Sequence, residues 1–354
     1  MTDQGELGRR IARQLGALTL EKVVEIGFRN AETNAARIES GHGILGLRDT
    51  PLMDGDAAIV LAAGPSLHRA TEVEELRALQ GKATLIAAES VLSYCFRNDL
   101  VPDLIVTLDP HPTRIVRCFG DPHLTAEMLV QDDYFERQDF DPGFALDQLR
   151  FNAELLASVD AHGPAIRAAI SSSASPAAVD RVYASRMQPY WWNPYYDDYD
   201  LPDSLTRKIH RMNGLPCLNA GGNVGTAAWV IAQTVLRKSK VALVGMDLGY
   251  YADTPYENTQ YYYELIDAVG ADRLDEAFIQ IHNPWIGADF YTDPAYLWYR
   301  ECFLELARDA ECETFNCTGG GILFGEGIRF VPLSEFAAAI AGESSGTMAR
   351  SSHG

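Results

Sequence analysis

Short, continuously apolar segments that end in a glycine-rich or polar turn recur along the chain between residues 57 and 250. Four of them read AAIVLAA (57–63), PDLIVTLDPH (102–111), RAAISSSASP (167–176) and KVALVGMDLGY (240–250). Such segments are typical of strands that are covered on both faces. Helical patterns separate them, as in GGNVGTAAWVIAQTVL (221–236). The alternation predicts an α/β fold with a doubly wound, mainly parallel, Rossmann-like sheet.

The sequence divides into five parts around this sheet. Residues 1–52 are predicted as an N-terminal helical region, because apolar residues recur there at helical spacing. Residues 53–250 form the Rossmann-like core, and residues 251–295, rich in Tyr and Asp, form a lid or accessory segment. Residues 296–341 supply a helix and strands that complete the core, and residues 342–354 are predicted to be a disordered tail.

Composition limits the partners of such a protein. The formal net charge is −20, so we expect no binding to nucleic acid, whose phosphates require clusters of Lys and Arg. No run of about 18 apolar residues is present and the first residues lack the order of a secretory signal, which predicts a cytoplasmic protein without a membrane span. Six cysteines without a C-x-x-C pair are expected to be buried free thiols, with no metal site: Cys95, Cys118, Cys217, Cys302, Cys312 and Cys317.

Two turns that follow predicted strands are candidates for binding an anionic ligand. In the first, backbone amides and a serine hydroxyl can face a phosphate, or the serine can simply cap the next helix. The second precedes a helix of small residues and suits a phosphate or ribose lying against amides, or close packing of helix on sheet. The two turns consist of Gly64, Pro65, Ser66 and Leu67, and of Gly221, Gly222 and Asn223.

Acidic side chains end three of the predicted strands. Asp109 and Asp247 each follow an apolar strand, where a carboxylate can hold a metal ion, a ribose hydroxyl or a base amino group, or can cap the next turn. Glu89 and Ser90 stand at the end of a third strand. Because the carboxyl ends of parallel strands meet at one edge, these side chains are expected to line one crevice.

Two histidines and one aromatic stretch complete the candidates. His282, flanked by apolar and aromatic residues, titrates near neutrality and can serve as a general base, while a satisfied structural histidine is the alternative. His111, just after Asp109, has the same two explanations and can instead contact phosphate. The stretch WWNPYYDDYD (191–200) offers a stacking surface for a ring, with aromatic core or interface as the alternative.

The order of these motifs resembles the MptE-like family. Its pattern is a strand, a G-x-G-P-S-L turn, P-D-x-x-V-x-x-D, a G-G-x-V turn with its helix, and an L-x-G-x-D-L strand end. The matching stretches lie between about residue 56 and residue 330. They read AAGPSL, PDLIVTLDP, GGNVGTAAWVIA, LVGMDLGY and NCTGGGILFGEGI.

The resemblance implies one of two chemistries. Archaeal members are 6-hydroxymethyl-dihydropterin diphosphokinases, which use ATP and Mg²⁺. Flagellin-associated Maf members are implicated in transferring nonulosonic sugars, and they resemble bacterial sialyltransferases that use CMP-sugars. The diphosphokinases tend to carry a D-L-D-G cluster where this chain has Thr107-Leu108-Asp109-Pro110, so Asp109 lacks an acidic neighbour for Mg²⁺.

The similarity to sialyltransferases also concerns a histidine. Those enzymes carry a catalytic histidine in a lid segment between the G-[IM]-D strand end and a final helix. His282 stands between GMDLGY and the helix predicted at 295–309. The resemblance therefore implies His282 as the base that activates the acceptor hydroxyl.

Together these observations favour a nucleotide-dependent transferase that moves a nonulosonic sugar from a CMP donor, without a cofactor, to a small-molecule or flagellin-like protein acceptor. The alternatives are diphosphate transfer from ATP, with Mg²⁺ held by Asp109, and a non-catalytic nucleotide-binding module. In the favoured hypothesis the first turn binds the donor phosphate, and the second holds ribose or sugar. Glu89 and Ser90 contact the nucleoside, while the side chains assigned to catalysis are Asp109, Asp247 and His282.

Overall fold

Parallel strand pairing organises this molecule. A computed structural model describes the backbone of residues 6–131 and 144–349, and these residues form a ten-stranded sheet in which every pairing is parallel. A separate sheet of three antiparallel strands lies between Tyr250 and Thr292. The predicted α/β fold with a mainly parallel, Rossmann-like sheet is confirmed.

The elements are numbered in chain order. The strands are β1 (His42–Gly43), β2 (Ala57–Leu61), β3 (Thr84–Ala88), β4 (Leu104–Thr107), β5 (Arg167–Ser171), β6 (Gln188–Pro194), β7 (Cys217–Leu218), β8 (Lys240–Val244), β9 (Tyr250–Tyr251), β10 (Ile279–Asn283), β11 (Ala288–Thr292), β12 (Glu313–Asn316) and β13 (Ile328–Phe330). The helices are α1 (Glu6–Thr33), α2 (Ala35–Ser40), α3 (Ser66–Arg69), α4 (Val73–Leu79), α5 (Leu92–Arg97), α6 (Ile115–Cys118), α7 (Ala126–Gln131), α8 (Phe144–His162), α9 (Pro176–Ala184), α10 (Leu205–Asn213), α11 (Val224–Val230), α12 (Tyr262–Val269), α13 (Leu274–Ala277), α14 (Pro294–Arg308) and α15 (Leu333–Ala349).

The strand order reverses beside β2. In the large sheet the order is β1-β6-β5-β4-β3-β2-β8-β12-β13, with β7 paired to β6. The chain builds outward from β2 through β3, β4, β5 and β6, and then returns to place β8 on the other side of β2. In doubly wound sheets a ligand crevice lies beyond the carboxyl ends of the strands at such a reversal.

Alternate residues of the strands enter two separate cores. Ile59 and Leu85 point into the core formed with helices α4, α5, α8, α9 and α15. Val60, Ile86 and Leu243 point into the core formed with α11 and α14 on the opposite face of the sheet. Because helices cover both faces, each central strand is apolar throughout rather than alternating between apolar and polar residues.

The aromatic stretch and the cysteines belong mainly to these cores. Trp191 and Trp192 on β6 are fully buried and point to opposite faces of the sheet, so the core explanation of this stretch is correct for both. All six cysteines are free thiols, as predicted. Their burial is less complete than predicted, because Cys217, Cys302 and Cys312 are only half-buried.

The chain outside the central core folds into helices and a small sheet. Helices α1 and α2 supply the predicted N-terminal helical region, and the accessory segment contains β10, β11, α12 and α13. Helix α15 continues to Ala349, past Gly342, and the disordered tail stays a prediction. Phe336 anchors the first turns of this helix in the core, and the run AAAIA favours its propagation. Residues 350–354 lie outside the described residues.

Within the described ranges, no helix combines the length and the apolar character that crossing a membrane would require. The division of the chain into five parts and the action of the accessory segment as a lid stay predictions.

Replacement of Leu243 tests the packing of the sheet. Leu243→Ala removes a fully buried side chain from β8, so we expect the free energy of unfolding to fall by about 2–5 kcal/mol. Leu201→Ala, at a leucine that is 48% exposed, is the matched control and is expected to change it by less than about 0.5 kcal/mol. Urea denaturation measures both, and equal effects would contradict the assigned burial.

Candidate functional site

The candidate site is the crevice at the carboxyl ends of β2 and β8, where the strand order reverses. The turn that starts at Gly64 follows β2, and Asp247 follows β8, its neighbour in the sheet. The turn after β12 reaches the same place, because the Met246 amide donates a hydrogen bond to the Thr318 hydroxyl at 3.2 Å. Three loops from adjacent parallel strands therefore meet here.

A buried carboxylate joins the first two of these loops. The Ser66 hydroxyl donates to Asp247 Oδ2 at 2.7 Å, and the Ser66 amide donates to Asp247 Oδ1 at 3.1 Å. Asp247 is only 2% exposed, and Ser66 is fully buried. Burial raises the pKa of Asp247 to about 7, and the two hydrogen bonds from Ser66 oppose that rise. Asp247 therefore titrates near neutrality while it holds the Ser66 turn against β8.

Gly64 is required for this contact. A β-carbon at position 64 would lie 2.0 Å from Asp247 Oδ2 and 2.4 Å from the Gly245 carbonyl oxygen. The Gly64 amide also donates to that carbonyl at 2.7 Å. The small residues of the motif AAGPSL thus allow two loops of the same protein to approach each other closely.

The first turn does not offer its amides to a ligand. The Gly64 amide donates to the Gly245 carbonyl, and the Ser66 amide donates to Asp247. The Leu67 and His68 amides donate to the carbonyls of Gly64 and Pro65. Proline has no backbone N–H. The prediction that Gly64, Pro65, Ser66 and Leu67 bind the donor phosphate is therefore not supported by the geometry, because Asp247 and the turn itself occupy these donors.

The second turn has donors available. The Asn223 side chain accepts a hydrogen bond from the Thr226 amide at 2.9 Å and so caps α11. Among the described residues, the amides of Gly222, Val224 and Gly225 have no acceptor. Free amides and a partial positive charge at a helix start favour an anion. A β-carbon on Gly225 would lie 3.3 Å from Met246 Sδ, which places this turn against the crevice.

Aromatic rings form one wall beside this turn. A β-carbon on Gly222 would lie 2.6 Å from the rings of Trp298 and Tyr299, on α14. The Tyr299 hydroxyl is paired with that of Tyr261 at 2.9 Å. Burial chiefly raises the pKa of Tyr299, and the charges of Asp109 and Arg114 also act on it. The aromatic wall is therefore within electrostatic range of the loop that follows β4.

Asp109 lies on that loop and is paired. Its Oδ2 is 3.3 Å from Arg114 Nε, and its Oδ1 accepts a hydrogen bond from the His111 amide at 2.9 Å. The Asp109 side chain is 24% exposed. The contact of His111 with this carboxylate is made by its backbone amide.

Asp109 is a poor fit for the Mg²⁺ that diphosphate transfer would use. The Arg114 guanidinium already neutralises its carboxylate, and the described residues contain no group of three or more His, Cys, Asp or Glu side chains that could hold a metal ion. Mg²⁺ is usually bound by one or two carboxylates together with substrate phosphates, and the Asp109 carboxylate is already paired with Arg114.

Glu89 faces the protein rather than the crevice. It is 4% exposed, its carboxyl group accepts a hydrogen bond from the Thr107 hydroxyl, and the Leu108 and Asp109 amides act to lower its pKa. Burial and the nearby Asp109 charge raise the pKa of Glu89 to about 8. The predicted contact of Glu89 with a nucleoside is not supported, because its oxygens hold the Asp109 loop. Ser90, the next residue, is exposed.

His282 lies outside the crevice. It is on β10, where its Nδ1 is 2.7 Å from Asp289 Oδ1 on β11, and its side chain is 59% exposed. The next residue, Asn283, is fully buried and donates to the Gly321 carbonyl at 2.9 Å. Successive side chains of a strand point to opposite faces, so His282 points away from the loops of the crevice. The structure therefore does not bring this proposed base to the site.

Several residues of the crevice carry no role in the sequence-based hypothesis. Gly320 packs so closely that a β-carbon there would lie 2.7 Å from the Tyr251 hydroxyl and 3.3 Å from Asp247 Oδ1. The run TGGGI (318–322) was the available signal for this loop. Trp298 and Tyr299 have no sequence signal, because only the fold brings them to this edge.

The chain is similar to a known family and to a solved structure. Residues 29–130 match the model of the family described as 6-hydroxymethylpterin diphosphokinase MptE-like. The structure of the Maf glycosyltransferase from Magnetospirillum magneticum AMB-1 is similar at 14% sequence identity, with a TM-score of 0.48. That similarity covers 81% of this chain and 37% of the other chain. No curated protein matches the chain.

Replacement of Gly64 tests the contact with Asp247. Gly64→Ala places a methyl group on Asp247 Oδ2, so we expect the free energy of unfolding to fall by about 1–3 kcal/mol. Gly43→Ala is the control, because its methyl group would lie no closer than 3.6 Å to Leu215 Cδ2. Chemical denaturation compares the two variants, and similar stabilities would show that the loops are not in close contact.

The pH dependence of stability tests the titration of Asp247. Its pKa is raised from 3.8 to about 7 on folding, so the folded protein binds the extra proton and stability falls as pH rises between these values. Asp247→Asn removes this effect. We expect its unfolding free energy relative to wild type to increase by up to about 1.4 kcal/mol per pH unit between pH 5 and pH 7. A difference that is constant in urea titrations across this range would contradict the assignment.

Proposed function

We propose that this chain, whose residues 29–130 match the model of the family described as 6-hydroxymethylpterin diphosphokinase MptE-like, is a nucleotide-dependent transferase whose donor binds in the crevice between β2 and β8. The family match supports a transferase-type function. The observation that carries the proposal is the second turn: three free amides at the start of α11 lie at the reversal of strand order, beside an aromatic wall.

In this proposal the donor phosphate binds at the amides of Gly222, Val224 and Gly225. The partial positive charge of the helix start favours an anion there without requiring a basic surface, which suits a chain of net charge −20. Trp298 and Tyr299 offer ring surfaces beside the phosphate position. Asp109, held by Arg114, offers a carboxylate to a ribose or sugar hydroxyl.

Glycosyl transfer from a CMP-activated nonulosonic sugar is the favoured reaction. Two observations support it over diphosphate transfer: Asp109 is neutralised by Arg114, and Thr107 replaces the acidic neighbour that a metal would need. The acceptor oxygen bonds to the anomeric carbon as the bond from that carbon to the CMP phosphate breaks. The leaving phosphate takes the bonding electrons, stabilised by the amides of the second turn.

The proton of the acceptor hydroxyl passes to a carboxylate in this scheme. Asp109 is our candidate, because its side chain is 24% exposed at the crevice. Asp247 is only 2% exposed, and both of its carboxylate oxygens accept hydrogen bonds from Ser66. His282 is not retained in this role, because its side chain points away from the crevice. Asp109→Asn is therefore expected to abolish turnover, whereas His282→Ala is expected to leave it unchanged.

Ligand binding tests the proposal directly. In calorimetric titrations against CMP, CTP, ATP and 6-hydroxymethylpterin, with and without Mg²⁺, we expect CMP to bind without the metal. Binding of ATP that requires Mg²⁺ would favour diphosphate transfer, the reaction of a 6-hydroxymethylpterin diphosphokinase. Absence of binding by every nucleotide would contradict the proposed function, and binding without turnover on any acceptor would favour a non-catalytic module.

A pair of helix-cap variants tests the position of the phosphate. Asn223→Ala removes the cap of α11 and disturbs the free amides, so we expect the affinity for CMP to fall by about tenfold or more. Ser204→Ala removes the equivalent cap of α10, where the serine accepts from the Arg207 amide at 3.0 Å, and is the matched control. Equal affinities in the two variants would place the phosphate elsewhere.

A further inference from the structure

The carboxyl end of helix α1 is fixed to the loops that follow β4 and β5. The Asn30 side chain donates to the Pro110 carbonyl at 2.9 Å and to the Ser173 carbonyl at 3.0 Å. One side chain thus joins two loops that lie 80 and 143 residues away along the sequence. Pro110 directly follows Asp109, so this contact is one peptide unit from a carboxylate of the crevice.

A second asparagine repeats the contact one helical turn later. Asn34 donates to the Ser172 carbonyl at 3.1 Å and to the Ala174 carbonyl at 3.0 Å, and it is only 2% exposed. Residues four apart lie on the same face of a helix. The two amide groups, which we call the asparagine pair, therefore direct four donors at four backbone carbonyls on one side of α1.

The same loops are tied to each other. The Ser175 amide donates to the Asp109 carbonyl at 3.1 Å. Close packing supports the docked helix, because a β-carbon on Gly27 would lie 2.6 Å from the Tyr196 hydroxyl and 3.0 Å from Ser173 Oγ. The Asp109 loop is thus held by Glu89 from within the sheet and by Asn30 from α1.

The other end of α1 reaches the accessory segment. A β-carbon on Gly8 would lie 2.1 Å from the Ala277 carbonyl oxygen and 2.7 Å from the Ile279 side chain. Helix α1 also packs along α14, the helix that carries Trp298 and Tyr299. One helix therefore contacts both the Asp109 loop and the helix of the aromatic wall.

We propose that the asparagine pair positions Asp109 and its partner Arg114 for ligand binding, so that helix α1 is a structural part of the nucleotide site. The inference rests on the proposed function for the identity of the ligand. Asn30 and Asn34 are positioning residues: they touch the loops that present the binding groups, and contact with the ligand is made by Asp109. Donors are required at these positions, because all four partners are carbonyl oxygens.

Variants of the half-buried Asn30 test the proposal with CMP as the probe. Asn30→Ala removes both donors without adding charge, and we expect CMP to bind at least about fivefold more weakly at pH 6 and at pH 8. Asn30→Asp replaces donors by acceptors and is expected to be as weak or weaker at pH 8. At pH 6 its protonated form donates one hydrogen bond again, so it is expected to bind more tightly than Asn30→Ala.

The CMP affinity of each variant is compared with that of wild type at the same pH. Titration of Asp247 and Glu89 then affects both proteins equally and does not contribute to the difference. Asn152→Asp is the matched control. Asn152 is also buried and exchanges two hydrogen bonds with the backbone of Asp121, at 2.6 and 2.8 Å. We expect it to bind CMP as wild type does. Equal weakening in Asn152→Asp and Asn30→Asp, or wild-type affinity in Asn30→Ala, would overturn the positioning role.

Hydrogen exchange separates this inference from the proposed function. If the wild-type protein binds no nucleotide, the proposed function fails. Amide hydrogen exchange of the unliganded protein then tests whether the asparagine pair positions the two loops. Faster exchange of amides in residues 109–115 and 172–175 of Asn30→Ala, with no change there in Asn152→Asp, supports the positioning role. Unchanged exchange in these two loops would overturn it.

Discussion

The hydrogen-bonded pair of Ser66 and Asp247 is the interaction on which the candidate site depends. It joins the ends of two neighbouring strands at the point where the strand order reverses. Burial of a carboxylate is costly unless donors compensate it, and here a hydroxyl and a backbone amide from the same serine do so. The glycine at position 64 is a consequence of this pair, because a β-carbon there would lie 2.0 Å from Asp247 Oδ2.

This pair also determines which turn of the crevice has amides free to bind a ligand. The first turn uses its amides within the protein, so the free amides at the crevice are those of the second turn, at the start of α11. The β4 loop is held from three directions, by Glu89, Arg114 and Asn30. A crevice whose walls are fixed before the ligand arrives is suited to transfer chemistry that relies on positioning and on fixed dipoles.

Much of the fold could be predicted because it depends on local pattern. The segments around β2, β4 and β8 are apolar at every position, which indicates parallel strands covered on both faces, and the glycine turns indicate where those strands end. The helix at residues 294–308 and the free thiols followed from the same reasoning. The start of α15 did not, because the burial of Phe336 stabilises it and no local pattern reports that contact.

By itself, the sequence determined the α/β class, the position of the strand-end turns and the presence of Asp109 and Asp247 at one edge, because strand period and turn chemistry are local properties. Only the tertiary structure decided which donors remain free and which charges are paired. In the first turn the Ser66 amide is satisfied by Asp247 and the Gly64 amide by the Gly245 carbonyl, and the Asp109 carboxylate is paired with Arg114. It also placed His282 on the outer face of a separate sheet. Ser66 and Asp247 are 181 residues apart in the sequence, so their hydrogen bonds form only once the strands have paired. The pairing of Asp109 with Arg114 depends on the folded conformation of a single loop.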